Sequence, residues 1–148
     1  MPRVKKTDSE KVEKPKKKNE VFYRSVGRRK SAVARVWLKI EKGPFIVNDK
    51  PLEEYFSSLK NAKMFEEPLR VVNRIGQVSV SARVSGGGLA AQAKAVVHGM
   101  ARSLLAYDET MRSGLSKHKL LTRDPRGKER RKYGRAGKAR ARKQSPKR

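Results

Sequence analysis

The chain has 148 residues, a formal net charge of +25 and no cysteine. This length suits one domain, and the lack of cysteine excludes disulfides, a cysteine nucleophile and thiolate metal sites. No apolar run approaches the roughly 18 residues of a membrane-spanning helix, and no apolar signal segment is present, so we expect a cytoplasmic protein with no membrane partner.

Charge divides the chain into three predicted parts. Residues 1–20 form a flexible, lysine-rich extension with a net charge of +4, and residues 21–116 form a globular domain with a net charge of +8. Residues 117–148 form an extended basic tail with a net charge of +13, which has too few apolar residues to fold alone. We expect nucleic acid to order this tail, because Lys and Arg release the counterions of its phosphates.

The first half of the domain is predicted to form strands. Residues 21–26 suit a short strand, which residues 27–30 interrupt as a charged turn. In residues 32–40 two faces alternate, one of them wholly apolar, which is typical of a half-buried strand. Residues 45–47 suit a third strand, and the Asn-Asp pair that follows predicts a turn.

Two short helices and a fourth strand are predicted next. Pro51 suits the first position of a short helix over residues 52–56, because the missing N–H of proline is not needed there. Asn61 is expected to cap a second helix, which Pro68 should end or bend. Residues 78–84 alternate between apolar side chains and Ser or Arg, which predicts a strand with a polar outer face.

The strongest helical pattern covers residues 89–107. Its apolar stripe recurs at steps of three and four and consists of Leu89, Ala93, Val96, Val97, Met100 and Leu104. A short helical piece over residues 109–115 leads into the tail. This order of elements favours an α+β fold, with one sheet and helices on one of its faces.

Two segments are candidates for contacts with nucleic acid. Residues 28–30 place three cations in one turn, which suits a phosphate clamp as well as a solvated hairpin end. The glycines at residues 86–88 allow a tight strand-to-helix turn, or a close approach of RNA backbone to the helix N-terminus. A nucleotide-phosphate loop is disfavoured, because neither G-x-G-x-x-G nor G-K-S/T is present.

A third candidate is the predicted polar face of the second strand. Arg35 shares this face with Trp37. A tryptophan there can stack on a base, or it can pack under a helix or cover the sheet edge.

Nothing in the sequence assembles a catalytic or metal site. The acidic pairs at residues 53–54 and 66–67 suit a solvated surface, since adjacent residues on a helix do not face each other. His98 and His118 are isolated, and no nucleophile, base and orienting group can be combined. We therefore expect no enzyme activity, no cofactor and no small-molecule substrate.

Four segments in order carry a family resemblance. They are Gly-Arg-Arg-Lys-x-Ala-x-Ala-Arg-Val at residues 27–36, Gly-Gly-Gly-Leu at 86–89 running into His-Gly-Met-Ala-Arg at 98–102, Leu-Thr-Arg-Asp-Pro-Arg at 121–126 with Glu-Arg-Arg-Lys at 129–132, and Lys-Ala-Arg at 138–140 with the closing Gln-Ser-Pro-Lys-Arg. Over residues 21–148 the chain resembles the bacterial-type ribosomal protein S9 (uS9) family.

The resemblance implies a fold, a function and partners. The fold is the α/β sandwich of the ribosomal protein S5 domain 2-like type, followed by a long extended basic tail. The function is a structural one in the head of the small ribosomal subunit, on 16S-type rRNA and beside neighbouring head proteins. The resemblance also implies that the tail passes through rRNA and reaches P-site tRNA.

The residues that the resemblance assigns to RNA are cations and glycines. Those expected to bind rRNA are Arg28, Arg29, Lys30, Arg35, Gly86, Gly87, Gly88, Arg123, Arg126, Arg130, Arg131, Lys132, Lys138 and Arg140. Lys147 and Arg148 are expected to contact the anticodon stem-loop of P-site tRNA.

The chain departs from the family pattern at three positions. Ala91 and Lys94 stand where the family has glycine, and Pro146 precedes the two terminal cations. Two alternative functions have similar composition: a free nucleic-acid chaperone and an RNase P-like protein component. The second is disfavoured, because the long helix carries only Lys94 and Arg102 as cations.

Overall fold

A computed structural model describes residues 21–57 and 62–133 of the chain. Within these ranges five strands form one sheet, in the order β1-β2-β5-β3-β4. The strands are β1 (Tyr23–Arg29), β2 (Ala32–Lys39), β3 (Phe45–Val47), β4 (Lys50–Pro51) and β5 (Ser79–Ser85). β3 and β5 run parallel, and the other neighbouring pairs are antiparallel.

Four α-helices accompany the sheet: α1 (Leu52–Tyr55), α2 (Glu67–Val71), α3 (Leu89–Tyr107) and α4 (Arg112–Lys117). Two short 3₁₀ turns, Ala62–Phe65 and Glu109–Met111, precede α2 and α4. The predicted α+β class is confirmed, and the arrangement is consistent with the S5 domain 2-like type. No helix within the described ranges is both long and apolar enough to cross a bilayer.

The core lies between the sheet and α3. The alternating pattern of β2 buries Ala32, Ala34, Val36 and Leu38 completely, as its period of two requires. α3 covers this side of the sheet with the predicted stripe, of which Ala93, Val96, Met100 and Leu104 have no exposed surface, and Val97 is also buried. Leu89 was expected to belong to the stripe but is exposed, because it lies in the first turn of α3 next to the glycine loop.

β1 and α3 approach each other unusually closely. A Cβ added to Gly27 would lie 1.9 Å from the carbonyl oxygen of Ala95 and 2.4 Å from the backbone nitrogen of Gly99. The Ser25 hydroxyl donates to the Gly99 carbonyl at 2.6 Å, and the buried Ser103 hydroxyl donates to Ser25 Oγ at 2.9 Å. Two small residues and a hydroxyl pair thus take the place of larger apolar side chains at this contact.

Three predictions of local structure are corrected or remain open. β1 continues through Gly27 to Arg29 rather than turning there, because the missing side chain of Gly27 makes room for α3. The predicted second helix is divided in two, because the 3₁₀ turn Ala62–Phe65 ends before Pro68, and Pro68 itself lies buried in the first turn of α2, where proline is tolerated. Asn61, the predicted cap, lies outside the described residues.

Candidate nucleic-acid interface

The β1–β2 hairpin ends in a two-residue turn of Lys30 and Ser31. The turn is closed by the pairing of Arg29 with Ala32. The backbone of Lys30 adopts a left-handed conformation with φ 52°, and its side chain is exposed. The structure therefore places this cation at the tip of the hairpin.

The glycine loop packs against this turn. Gly86 and Gly87 both have positive φ, 71° and 67°, which favours glycine. A Cβ on Gly86 would lie 2.7 Å from the Ser31 carbonyl oxygen, and one on Gly87 would lie 3.0 Å from the Ala32 Cβ. The tight-turn interpretation is confirmed, and the turn brings the N-terminal end of α3 beside the hairpin.

The N-terminal end of α3 has no side-chain cap. Gly88 occupies the cap position with extended backbone, and no atom lies within 4 Å of the place a Cβ would take. The first N–H groups of a helix have no partners within that helix. They carry the positive end of the helix dipole, which suits a phosphate oxygen.

The first residues of the tail lie against the domain. Leu120 and Leu121 are partly buried against the core. The Arg28 N–H donates to Nδ1 of His98 at 3.3 Å, so Nε2 carries the ring proton and donates to the Leu121 carbonyl at 3.2 Å. Burial lowers the pKa of His98 below its ordinary value of 6.5, which favours the neutral ring that Nδ1 needs in order to accept from the Arg28 N–H.

Asp124 holds the next part of the tail. Its carboxylate pairs with Arg29 at 2.9 Å and with Arg126 at 2.9 Å, and Arg29 also donates to the Arg126 carbonyl at 2.6 Å. Hydrogen bonds from Arg126 hold the pKa of Asp124 well below its usual range, and the charge of Arg29 acts in the same direction. We call these three residues the Asp124 cluster. The Arg29 side chain is only 11% exposed, so its guanidinium is engaged within the protein.

A groove of about 250 Å³ lies between the end of β1, α3 and the start of the tail. Its unpaired cations are Arg28, Lys94, Lys119 and Arg123, and its acids are Glu67 and the already paired Asp124. Neither Lys94 nor Lys119 belongs to the residues that were predicted to bind RNA. For Lys94, a role could have been predicted only from its charge at a position where the family has glycine.

The structure brings most of the predicted rRNA-binding residues of the domain together. Residues 28–30, residues 86–88, Arg123 and Arg126 share one end of the molecule. We call this the hairpin end. Arg35 lies elsewhere, exposed in the middle of β2 on the sheet face away from α3.

The tail residues of the predicted site divide into two groups. Arg130, Arg131 and Lys132 are exposed beyond the Asp124 cluster. The remaining four lie outside the described residues: Lys138, Arg140, Lys147 and Arg148. In the described part of the chain, no group of three or more acidic or histidine side chains could hold a metal ion.

The comparison with known families covers the hairpin end and the tail together. The model of the family described as ribosomal protein S9/S16 matches residues 27–148. The chain belongs to this family. The match begins at Gly27, so it includes the hairpin turn, the glycine loop and the tail, and it leaves residues 1–26 outside.

Curated relatives agree with the family match. The chain is 50% identical over 117 residues to the small ribosomal subunit protein uS9 of Thermotoga neapolitana, with 77% of this chain and 87% of the relative covered. It is 49% identical to the protein of the same name from Thermotoga maritima, with the same coverage. The predicted membership of the bacterial-type S9 family is confirmed. This family is structural rather than enzymatic.

Proposed function

We propose that this chain is a structural component of the small-subunit head, binds 16S-type rRNA and extends its tail to P-site tRNA. A bacterial-type ribosome lies in the cytoplasm, which is then also the location of this protein. The observation that carries the proposal is the convergence of the hairpin turn, the glycine loop, the uncapped end of α3 and the start of the tail at one end of the domain. Two cationic segments and the glycine loop, which are distant from one another in sequence, meet there.

At the hairpin end, the cations of the groove and Lys30 contact the RNA backbone. Arg28, Lys94, Lys119 and Arg123 line one groove and have room for phosphates. Contacts of this kind position a protein on RNA without reading its sequence. Because Gly88 has no side chain and the space beside it is open, a phosphate can approach the first N–H groups of α3.

Arg29 has a different role in this proposal. Because it is held by Asp124 and by the Arg126 carbonyl, it sets the direction in which the tail leaves the domain. The tail that follows binds rRNA through its exposed cations, which include Arg130, Arg131 and Lys132. We propose the same three-part division as above: an extension, a domain and a tail with separate contacts.

The tail is long enough to reach a ligand that the domain does not touch. Residues 128–148 could span roughly 70 Å when extended, at about 3.3 Å per residue. A domain of this size has a radius of gyration of roughly 12–13 Å. The terminal Lys147 and Arg148 then contact tRNA phosphates, Arg as a bidentate donor and Lys as a point charge.

The rRNA contact is tested by charge removal at the hairpin end. The variant Arg28→Gln, Lys30→Gln, Lys94→Gln is compared with Lys42→Gln, Lys50→Gln, Arg112→Gln, which removes three exposed charges elsewhere. Filter binding to the head domain of 16S-type rRNA is measured as a function of salt. We expect the first variant to flatten the logarithmic salt dependence by about 0.7–0.9 per lost contact. Equal slopes of the salt dependence for the two variants would show that the cations of the hairpin end are solvated and do not contact the RNA.

The tRNA contact is tested by shortening the chain to end at Pro146. Most of the tail remains, so we expect assembly into 30S particles to be unchanged. Dissociation of P-site tRNA from these particles should accelerate, because the shortened tail loses at most about 1–3 kcal/mol of binding free energy, the usual range for charge-assisted hydrogen bonds. Identical off-rates at matched salt would remove the tRNA contact and leave the tail as an rRNA-binding segment.

A further inference from the structure

The face of the sheet that points away from α3 carries its own arrangement of charge. We call it the outer face. Cross-strand pairing places Val26, Arg35 and Arg83 in one row across β1, β2 and β5. The row beside it consists of Arg24, Trp37 and Ser81. Residues paired directly across neighbouring strands lie on the same face and about 5 Å apart.

The arginines of the outer face have no acidic neighbour within the strands, whereas Lys39 at the end of β2 pairs with Glu41 at 2.7 Å. Arg24, Arg35 and Arg83 are exposed, and the outward positions of β1, β2 and β5 contain no acid. Arg35 and Arg83 are direct cross-strand partners, and like charges in that position destabilise a sheet. Within residues 21–57 and 62–133, neither guanidinium has an ion pair or hydrogen bond. A bound anion would remove this repulsion.

The composition of the face says which anion fits. Trp37 is half-buried, beside the exposed Ser81 and the partly exposed Val26. Shallow depressions of about 260 Å³ and 140 Å³ lie on either side of Arg35, the first beside Trp37 and the second beside Arg83. An aromatic ring flanked by cations and hydroxyls is the arrangement on which unpaired bases stack. The other outward positions of β5 are serines, so the face is too polar to suit an apolar protein partner.

We propose that the outer face is a second RNA-binding surface, which takes a single-stranded or looped segment. A base stacks on Trp37, and its flanking phosphates lie on Arg35 and Arg83. Arg24 supplies a further cation at the edge strand. This inference rests on the proposed rRNA-binding function, but it concerns a surface that is separate from the hairpin end.

Trp37 is the only tryptophan of the chain, so its fluorescence reports on this surface alone. The full-length protein is titrated with a fluorescein-labelled single-stranded RNA of twelve adenines. Anisotropy of the label measures total binding, and tryptophan emission measures contact with the outer face. We expect saturable quenching of Trp37, because a stacked base contacts the indole directly.

Two variants with equal loss of charge localise the contact. Arg35→Gln, Arg83→Gln should weaken the quenching titration by about tenfold or more per lost charge-assisted contact. Lys42→Gln, Lys50→Gln removes two exposed cations that lie on neither proposed surface, and it should leave the quenching titration unchanged. Thermal unfolding checks that the outer-face variant is folded, which we expect because the change removes a like-charge pair.

Several outcomes would overturn the proposal. Saturating anisotropy without a change in Trp37 emission would show that RNA binds elsewhere, which leaves the proposed function intact. Absence of any anisotropy change would remove the proposed function as well. Equal quenching by polyphosphate would exclude base stacking, and quenching by polyglutamate but not by RNA would assign the face to an acidic protein.

Discussion

Replacing Gly27 with Ala should strongly destabilise the domain, although the change adds one methyl group to a strand. The added Cβ would lie 1.9 Å from the Ala95 carbonyl oxygen, 2.4 Å from the Gly99 nitrogen and 2.9 Å from the Gly99 Cα. Nonbonded carbon atoms are most favourable at about 3.5–4.0 Å. All three obstacles are backbone atoms, so no side-chain rotation can relieve the overlap, and α3 must move away from β1.

The size of the destabilisation depends on the core packing that a movement of α3 disrupts. α3 and β2 share the core, and Val36 and Met100 have no exposed surface there. Overpacking of a core costs about 1–3 kcal/mol and occasionally more, and a clash with backbone belongs at the upper end. A loss of about 3 kcal/mol is a large part of the roughly 5–15 kcal/mol that stabilises a domain. It corresponds to a melting temperature lower by about 12–24 °C, at about 4–8 °C per kcal/mol.

The assay is thermal unfolding followed by circular dichroism, with Gly127→Ala as the matched control. A Cβ on Gly127 would meet no atom within 4 Å. The control should therefore stay within about 0.5 kcal/mol of the parent protein. If the Gly27→Ala protein has the same melting temperature as the control, the close approach of β1 and α3 is refuted.

Three further predictions concern the tail, the partly buried His98 and the N-terminal extension. Asp124→Asn removes the ion pair with Arg29, and we expect NMR shifts of residues 120–126 to move towards random-coil values while the domain melts as before; unchanged shifts would show that the Asp124 cluster does not hold the tail. The pKa of His98 is lower in the native state than its ordinary 6.5, so the native state binds fewer protons and stability should fall as pH drops below about 6.5. His98→Gln should abolish this pH dependence of stability between about pH 5 and 8. If the dependence persists in the variant, it belongs to another titratable group. Deletion of residues 1–20, which have mixed charge and no apolar periodicity, should leave folding and co-sedimentation with 30S particles intact, and failure to co-sediment would give the extension a specific binding role.

Local sequence patterns determined the elements and the class of partner. The period of two in β2 and the three-and-four spacing in α3 are properties of neighbouring residues, and the structure confirms both elements. The family match confirms the resemblance drawn from four ordered motifs. The cationic tail predicted a nucleic-acid partner from composition alone, since no fold is needed to count charges.

Only the tertiary structure decided which residues of the motifs pack and which face outward. Gly27 could not be distinguished from a turn glycine, because what requires glycine there is the close approach of the α3 backbone, some 70 residues later in the chain. Arg29 was indistinguishable from its neighbours until Arg126, 97 residues away, was placed beside it. Arg35 and Arg83 became a pair only when β5 docked on β2. Each of these contacts depends on which distant segments meet, and that information is absent from local periodicity.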